Sequence, residues 1–282
     1  MSALTIKQAL NIASSKGIDR LKIQLWLSQV MKSPSDERRS RAWLIIHEAD
    51  PLTLEQQTAW EQGLTRLQAG EPIAYLLKEK EFFSLNLMVN SQVLIPRPDT
   101  EVLVQWALDT LPLLPNATPR VLDLGTGSGA IAVALKKNAP HIEMHAVDVS
   151  HSALEVARHN AATLGVSVHY HEGSWWEPVR NLQFDLVVSN PPYIDPLDPH
   201  LADLKYEPLH ALISSSNGYK DLEAIIKVSS ELLSSSSCLL LEHGYTQKDD
   251  LQERFQQFGF TKISSRKDFA GQWRCTGGWR PS

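Results

Sequence analysis

The 282-residue sequence predicts an α/β fold, with a mainly parallel sheet carrying helices on both faces behind an all-helical N-terminal segment. Three observations carry this expectation. From about residue 100 onward, short apolar runs alternate with helical patterns, the arrangement that builds parallel sheets through crossover helices. Two of those runs end in loops of unusual composition, Gly125-Thr126-Gly127-Ser128-Gly129 and Asn190-Pro191-Pro192-Tyr193. The first 80 or so residues carry helical patterning with start and stop signals.

In that N-terminal part, Thr5 with Gln8 and Thr53 with Gln56 have the spacing of capping boxes. Asp19 precedes Leu21, Ile23, Leu25 and Trp26, and Ser33-Pro34 is a start signal with proline just inside the helix. A fourth helix is expected from about Leu54 to Ala69, ending at Gly70 with Pro72 beyond. Trp26, Trp43 and Trp60 recur every 17 residues. Their flanks differ, so they read as packing residues of successive helices rather than a repeat. Phe82 to Val89 and Val93-Leu94-Ile95, joined by Asn90-Ser91-Gln92, predict a β-hairpin, after which Pro96 and Pro98 fix a rigid corner. The domains expected are 1–80 (helical, substrate recognition), 81–98 (hairpin linker) and 99–282 (catalytic).

Val121-Leu122-Asp123-Leu124 reads as a strand, followed by the glycine loop and a helix through Ile131, Val133, Ala134 and Leu135. Glycine lets the backbone turn sharply and approach a ligand. A second strand, Met144 to Val147, ends in Asp148, 23 residues after Gly125. An acid at that distance, on the end of the second strand, can accept from both hydroxyls of a ribose. The glycines alternate as G-T-G-S-G and no GK[ST] follows, which disfavours an NTP-binding loop. A ligand with a ribose and no phosphate fits, which suggests S-adenosylmethionine. The competing reading makes Asp148 only the N-cap of a helix beginning near Ser150. A third strand is expected at Val166 to Tyr170; beyond it, Ser174 and Trp175 stand where an adenine would lie, and Trp176 reads as core.

Leu186-Val187-Val188 reads as a buried strand that stops at Pro191-Pro192, since prolines cannot extend a hydrogen-bond ladder. The carboxyl ends of strands are where ligands bind in open α/β sheets. Asn190 Oδ1 and a proline carbonyl can accept both hydrogens of a planar NH2 group, and Tyr193 can pack on its face. That chemistry suits a side-chain amide, the exocyclic amine of adenine, or guanine N2. A plain turn after a strand, with Asn and Pro chosen for turn chemistry, is the simpler alternative.

These residues resemble the class I S-adenosylmethionine-dependent methyltransferases, and N-P-P-Y narrows the resemblance to members that methylate an amino group. Gly70-Glu71-Pro72-Ile73-Ala74-Tyr75, Leu94-Ile95-Pro96-Arg97-Pro98-Asp99-Thr100-Glu101 and Leu239-Leu240-Leu241-Glu242-His243-Gly244 narrow it further. With NPPYI they are similar to the peptide-chain release factor glutamine methyltransferases, over roughly residues 70 to 282. The resemblance implies a Rossmann-like, seven-stranded, mainly parallel sheet with a final antiparallel pair in the 258–280 region. It implies N5-methylation of the glutamine in the Gly-Gly-Gln motif of release factors, with S-adenosylhomocysteine as the second product. Carried over by position, Gly125, Thr126, Gly127, Ser128, Gly129, Asp148, Trp175 and Asn190 would hold the cofactor. Asn190, Pro191, Pro192 and Tyr193 would hold the glutamine amide, with Arg97 and Glu101 nearby in roles the resemblance does not specify. The chain departs from the family pattern at Ser174, at Ser234 to Ser237, and in RKDFAGQWR, which contains Asp268 and Arg274.

Composition disfavours duplex nucleic acid as the main partner. Apolar content of 43%, charged content of 21% and a net charge of −5 describe an ordinary globular chain without the basic face that duplex binding needs. The one basic cluster, Glu37 to Arg41, reads as a solvated helix face. Two cysteines without metal spacing and a polar N-terminus, MSALTIKQAL, predict reduced thiols, no signal peptide and a cytoplasmic protein. No apolar run approaches the roughly 18 residues of a membrane span. His169 and His171 share a strand face, yet no acid or cysteine is spaced to complete a site, so no metal is expected.

Overall fold

A computed structural model describes residues 4–32 and 38–281, and the chain divides into two compact units, Met1–Glu79 and Lys80–Ser282. The helix start read at Ser33-Pro34 lies outside the described residues.

The first unit is helical: α1 (Ile6–Ser15), α2 (Arg20–Val30), α3 (Arg41–Ile46), α4 (Leu54–Gln68) and α5 (Ile73–Leu77). Both capping boxes close. The Thr5 hydroxyl accepts from Gln8 N while Gln8 Oε1 accepts from Thr5 N, and Thr53 and Gln56 repeat the exchange. Asp19 caps α2 by accepting from Lys22 N at 3.0 Å. Ile6, Ile23, Leu27, Leu44 and Leu64 pack with Trp60 into one core. Trp26 donates its indole N–H to the Trp60 carbonyl at 3.3 Å, whereas Trp43 is half-buried and stacks on His47. The basic cluster differs from expectation. Arg38 to Ser40 precede α3, where Arg38 pairs with Glu79 and Gln29 and Arg39 lies over the Trp43 ring. Arg38 and Arg39 are thus partly buried, whereas Arg41 is exposed at the start of α3, and Glu37 lies outside the described residues.

The second unit carries the sheet. A hairpin, β1 (Glu79–Phe82) and β2 (Leu85–Met88), turns at Phe83-Ser84, both residues left-handed at φ 50° and 60°. This corrects the hairpin read at Asn90 to Gln92: a two-residue turn with two positive φ angles matches strand twist and sets the pairing earlier. Ile95 does not join a ladder; its N–H goes instead to Glu207 Oε2 at 3.0 Å.

Seven further strands, β3 (Arg120–Leu124), β4 (Glu143–Asp148), β5 (His169–Glu172), β6 (Leu186–Ser189), β7 (Cys238–Glu242), β8 (Thr261–Lys267) and β9 (Trp273–Trp279), form one sheet in the order β5-β4-β3-β6-β7-β9-β8. β5 through β7 pair in parallel, and β9 pairs antiparallel with both β7 and β8. The remaining helices are α6 (Glu101–Thr110), α7 (Ala130–Asn138), α8 (His151–Leu164), the single turn α9 (Ser215–Gly218), α10 (Lys220–Leu232) and α11 (Lys248–Gln257). Alternate strand residues serve two cores. Val121, Met144, Leu186 and Leu240 meet α6 and α7, while Leu122, Val147, Val187 and Leu239 meet α10 and α11. Burial on both faces is why these strands read as continuous apolar runs. The third strand begins three residues later than expected. Gly165 ends α8 in a left-handed conformation, Val166 N returns to the Ala161 carbonyl at 3.0 Å, and pairing with β4 starts only at His169 opposite His145.

Candidate active site

The strand order reverses between β3 and β6, so the loops leaving these two strands diverge and open a crevice at their carboxyl ends. Leu124 and Ser189, the last residues of the two strands, are in register and joined by Ser189 Oγ donating to the Leu124 carbonyl at 2.6 Å. The glycine loop and Asn190-Pro191-Pro192-Tyr193 therefore leave the sheet side by side.

The glycine loop is held largely by its own backbone. Gly125 N and Thr126 N both donate to the Val147 carbonyl at 2.9 Å, Gly127 N donates to Asp148 Oδ2 at 2.8 Å, and Gly129 N to the Thr126 carbonyl at 2.8 Å. Asp148 Oδ1 accepts from Ser150 N at 2.9 Å, while Ser150 itself caps α8. Asp148 is thus the buried brace of the loop, not the helix cap. Gly125 sits at φ 72°, and a Cβ there would stand 3.1 Å from the Trp175 ring, so only glycine lets the indole close over the loop. Trp175 is itself left-handed at φ 45°, a strained conformation for a bulky residue of the kind that clusters at ligand sites.

Gly125, Gly127, Asp148, Trp175, Asn190 and Pro192 line a cavity of about 230 Å³, and Ser174 lies on its wall. Thr126, Ser128 and Gly129 are not on that wall. Thr126 donates to the fully buried Asp123 at 2.6 Å, and burial pushes the Asp123 carboxyl up to about 7. The Ser128 carbonyl accepts from Asn160, whose amide also pairs with both backbone groups of Met88, and Gly129 caps α7. Trp176 is core, donating its indole N–H to Ser229 at 3.1 Å.

A second cavity, of about 270 Å³, is lined by Arg97, Asn190, Pro191 and Tyr193 among others. Leu94, Asn190 and Ala211 line both cavities, and of these three only Asn190 has a polar side chain. Its Nδ2 donates to the Thr100 hydroxyl at 3.2 Å, which leaves the carbonyl oxygen Oδ1 as the amide's acceptor for a ligand.

Behind the second cavity lies a layer of buried charge. Tyr193 donates its hydroxyl to Glu242 Oε1 at 3.0 Å. Glu242 is wholly buried, and burial raises its carboxyl to about 7. Burial, reinforced by the Glu242 carboxylate, raises the Tyr193 hydroxyl well above its ordinary value. Arg274, beside Tyr193, bridges Asp268 at 3.1 Å and Asp99 at 3.0 Å. Arg97 pairs with the buried Glu207. Glu101 accepts from Phe83 N at 3.0 Å, tying the start of α6 to the hairpin turn. Sequence reasoning missed Thr100, Glu207 and Asn160 as individual residues. Each acts through a partner 72 to 112 residues away, which no local spacing signals. Among the described residues, no helix is long and apolar enough to cross a membrane.

The strand order, the switch point and the braced glycine loop together define a Rossmann-like fold with a ligand crevice of the kind class I methyltransferases use. The sheet resembles that of a methyltransferase from Pyrococcus furiosus, with a TM-score of 0.54 and 17% identity over 79% of this chain and all of that one, a likeness of fold. Residues 100–218 match the methyltransferase small domain, and residues 7–77 match the PrmC N-terminal domain. The chain is 41% identical to a release factor glutamine methyltransferase of Bordetella pertussis over 95% of its own length and 98% of that protein's. Its identity to the enzyme of the same name from Escherichia coli K12 is 40%, over 91% and 98%. It belongs to the release factor glutamine methyltransferase family.

Proposed function

We infer that the protein transfers a methyl group from S-adenosylmethionine to the side-chain amide nitrogen, N5, of a glutamine in a peptide-chain release factor, the glutamine of its Gly-Gly-Gln motif. Family membership supports the reaction. The single observation that carries the reading onto this chain is Asn190, the polar side chain shared by two adjoining cavities, one beside the glycine loop and one beside Tyr193.

The loop suits a ribose ligand without a phosphate. The N–H groups of Gly125, Thr126, Gly127 and Gly129 are engaged by Val147, Asp148 and Thr126, so they form no nest for a phosphate. Each Asp148 oxygen accepts one backbone N–H, and a carboxylate oxygen can accept again, which suits two ribose hydroxyls. The residues that would hold the cofactor are Asp148 at the ribose, Trp175 at the adenine, and Gly125 and Gly127 of the loop on the cavity wall. Bound there, the cofactor supplies a methyl group already activated on a sulfonium cation.

The protein's task is then positioning. An amide nitrogen is a weak nucleophile because its lone pair is delocalised into the carbonyl. Asn190 Oδ1 and the Pro191 carbonyl would accept the two amide hydrogens and aim the nitrogen, while the Tyr193 ring packs against the amide plane. These hydrogen bonds tighten as positive charge grows on the nitrogen, which is stabilisation specific to the transition state. Orientation of this kind is worth up to ~7–11 kcal/mol in favourable systems. The methylated nitrogen is acidic and loses its proton to water, so no general base is required. The N-terminal helical unit serves recognition of the release factor surface, and the working compartment is the cytoplasm, where translation terminates.

Incubation with labelled S-adenosylmethionine and, separately, release factor, DNA and rRNA tests the reading. Label on a Gly-Gly-Gln peptide of the release factor is the expected result. Label confined to nucleic acid would overturn it.

A further inference from the structure

The rim of the sheet opposite the active site holds a cluster that methyl transfer does not use. β4 and β5 run in parallel with His145 opposite His169. Strand alternation therefore puts Glu143 and His145 of β4 on the same face as His169 and His171 of β5. One carboxylate oxygen of Glu143 and one ring nitrogen each of His145 and His169 lie within 4.8 Å of one another. Within β5 alone no acid is spaced to complete a site; the neighbouring strand supplies it.

We propose that Glu143, His145 and His169 form a binding site for a zinc-class divalent transition-metal ion. Two imidazoles and a carboxylate are a donor set such ions accept, with a fourth position left to water. The supporting layer is in place. Arg120 Nε holds the second oxygen of Glu143 at 2.9 Å. His145 Nε2 lies 3.0 Å from Glu143 Oε1, and His145 Nδ1 lies 2.9 Å from His171 Nε2. With Nε2 on the ion, Nδ1–H donates to His171, the orienting bond that metal-bound histidines characteristically make. Each ring keeps one proton, so binding needs only a tautomer shift. His145 is buried, His169 is exposed and Glu143 is partly exposed, so an ion can enter from solvent onto a preformed anchor.

Titration of the untagged, metal-stripped full chain with Co2+ as a spectroscopic probe, followed by displacement with Zn2+, tests the site. The expected result is one equivalent of Co2+ giving a ligand-field absorption band that Zn2+ abolishes, with a rise in melting temperature when Zn2+ is in excess. His169→Ala, at an exposed position, is expected to weaken binding more than tenfold while leaving the metal-free melting temperature unchanged, and Glu143→Gln, at a partly exposed position that also pairs with Arg120, is expected to weaken binding by as much. His171→Ala should weaken it about tenfold through loss of the orienting bond. His200→Ala, at an exposed histidine elsewhere, should leave it unchanged. Absence of stoichiometric binding, or binding that survives both His169→Ala and Glu143→Gln, would overturn the proposal.

Discussion

The two halves of the active site are held in different ways. The cofactor half is braced from nearby in the sequence: Gly127 and Asp148, 21 residues apart, bond to each other, and Val147 holds Gly125 and Thr126. The amide half is braced from afar. Asn190 leans on Thr100 across 90 residues, Tyr193 on Glu242 across 49, and Arg97 on Glu207 across 110. The first half is a folded loop that largely carries its own geometry. The second is an arrangement that exists only once α6, β6 and β7 have docked, so its precision depends on the whole sheet.

If that division holds, substitutions in the two halves should separate binding from turnover. Asn190→Ala is expected to lower kcat about 10²–10³-fold, the size typical of losing one preorganised hydrogen bond to a transition state. Its affinity for S-adenosylmethionine should stay within a few-fold of wild type. Asp148→Ala should do the reverse, weakening cofactor binding roughly 10–150-fold, as expected for hydrogen bonds to a charged group, with kcat at saturating cofactor little changed. Calorimetric cofactor binding alongside steady-state methyl transfer to release factor measures both. Wild-type-like turnover by Asn190→Ala would remove the acceptor role, and equal losses of both constants in both variants would erase the division.

The buried carboxylate behind Tyr193 gives the comparison a pH signature. Burial raises Glu242 from 4.5 to about 7. At pH below 4.5 the group is protonated whether the chain is folded or not, so its contribution is then fully present. As pH rises toward about 7 the unfolded chain has released the proton and the folded one has not. Stability therefore falls across that window and levels off above it, by roughly 3 kcal/mol from this group. Glu242→Gln keeps an acceptor for the Tyr193 hydroxyl and removes the titration. The stability difference between wild type and variant, from urea unfolding at several pH values, should shift against wild type by about that amount between acid and neutral pH. Asp123, also raised to about 7, imposes the same trend on both proteins and cancels in the difference. A pH-independent difference would mean that Glu242 stays ionised in place.

How much of this was legible in the sequence follows the same line. The glycine loop, Asp148 and NPPY were readable because backbone constraints write themselves locally, as glycine at left-handed positions and proline where a ladder must stop. The doubly buried strands were readable as apolar runs for the same reason. Val166 to Tyr170 misplaced β5 because the β-branched residues there suit a strand, whereas register with β4 decides where pairing starts. The hairpin was misplaced because Phe83-Ser84 adopts a turn that its residue types do not advertise. The loop's polar residues, Thr126 and Ser128, were grouped with the cofactor by position, yet their bonds run inward to Asp123 and Asn160. Spacing places a residue on a loop; it does not say which way the side chain turns. Glu143 and His145 joined His169 only through strand pairing, which no count along one strand contains.

Thr100 is the sharpest small test of the long-range half. Its hydroxyl takes the Nδ2 hydrogen of Asn190 and so fixes which end of the amide meets the substrate cavity. Thr100→Val keeps the side chain's volume and removes that acceptor, together with the hydroxyl that bonds the Glu242 carboxyl. The Asn190 amide is then free to rotate, presenting a donor where the reaction needs an acceptor for part of the time. One neutral hydrogen bond is worth about 0.5–1.5 kcal/mol, so kcat should fall by roughly 2–12-fold, with cofactor affinity and KM for release factor nearly unchanged. Thr100→Ser restores the hydroxyl and should recover most of the rate, which a packing defect alone would not allow. If Thr100→Val turned over like wild type, Asn190 would be oriented by its own loop, and the amide half would be as self-contained as the glycine loop beside it.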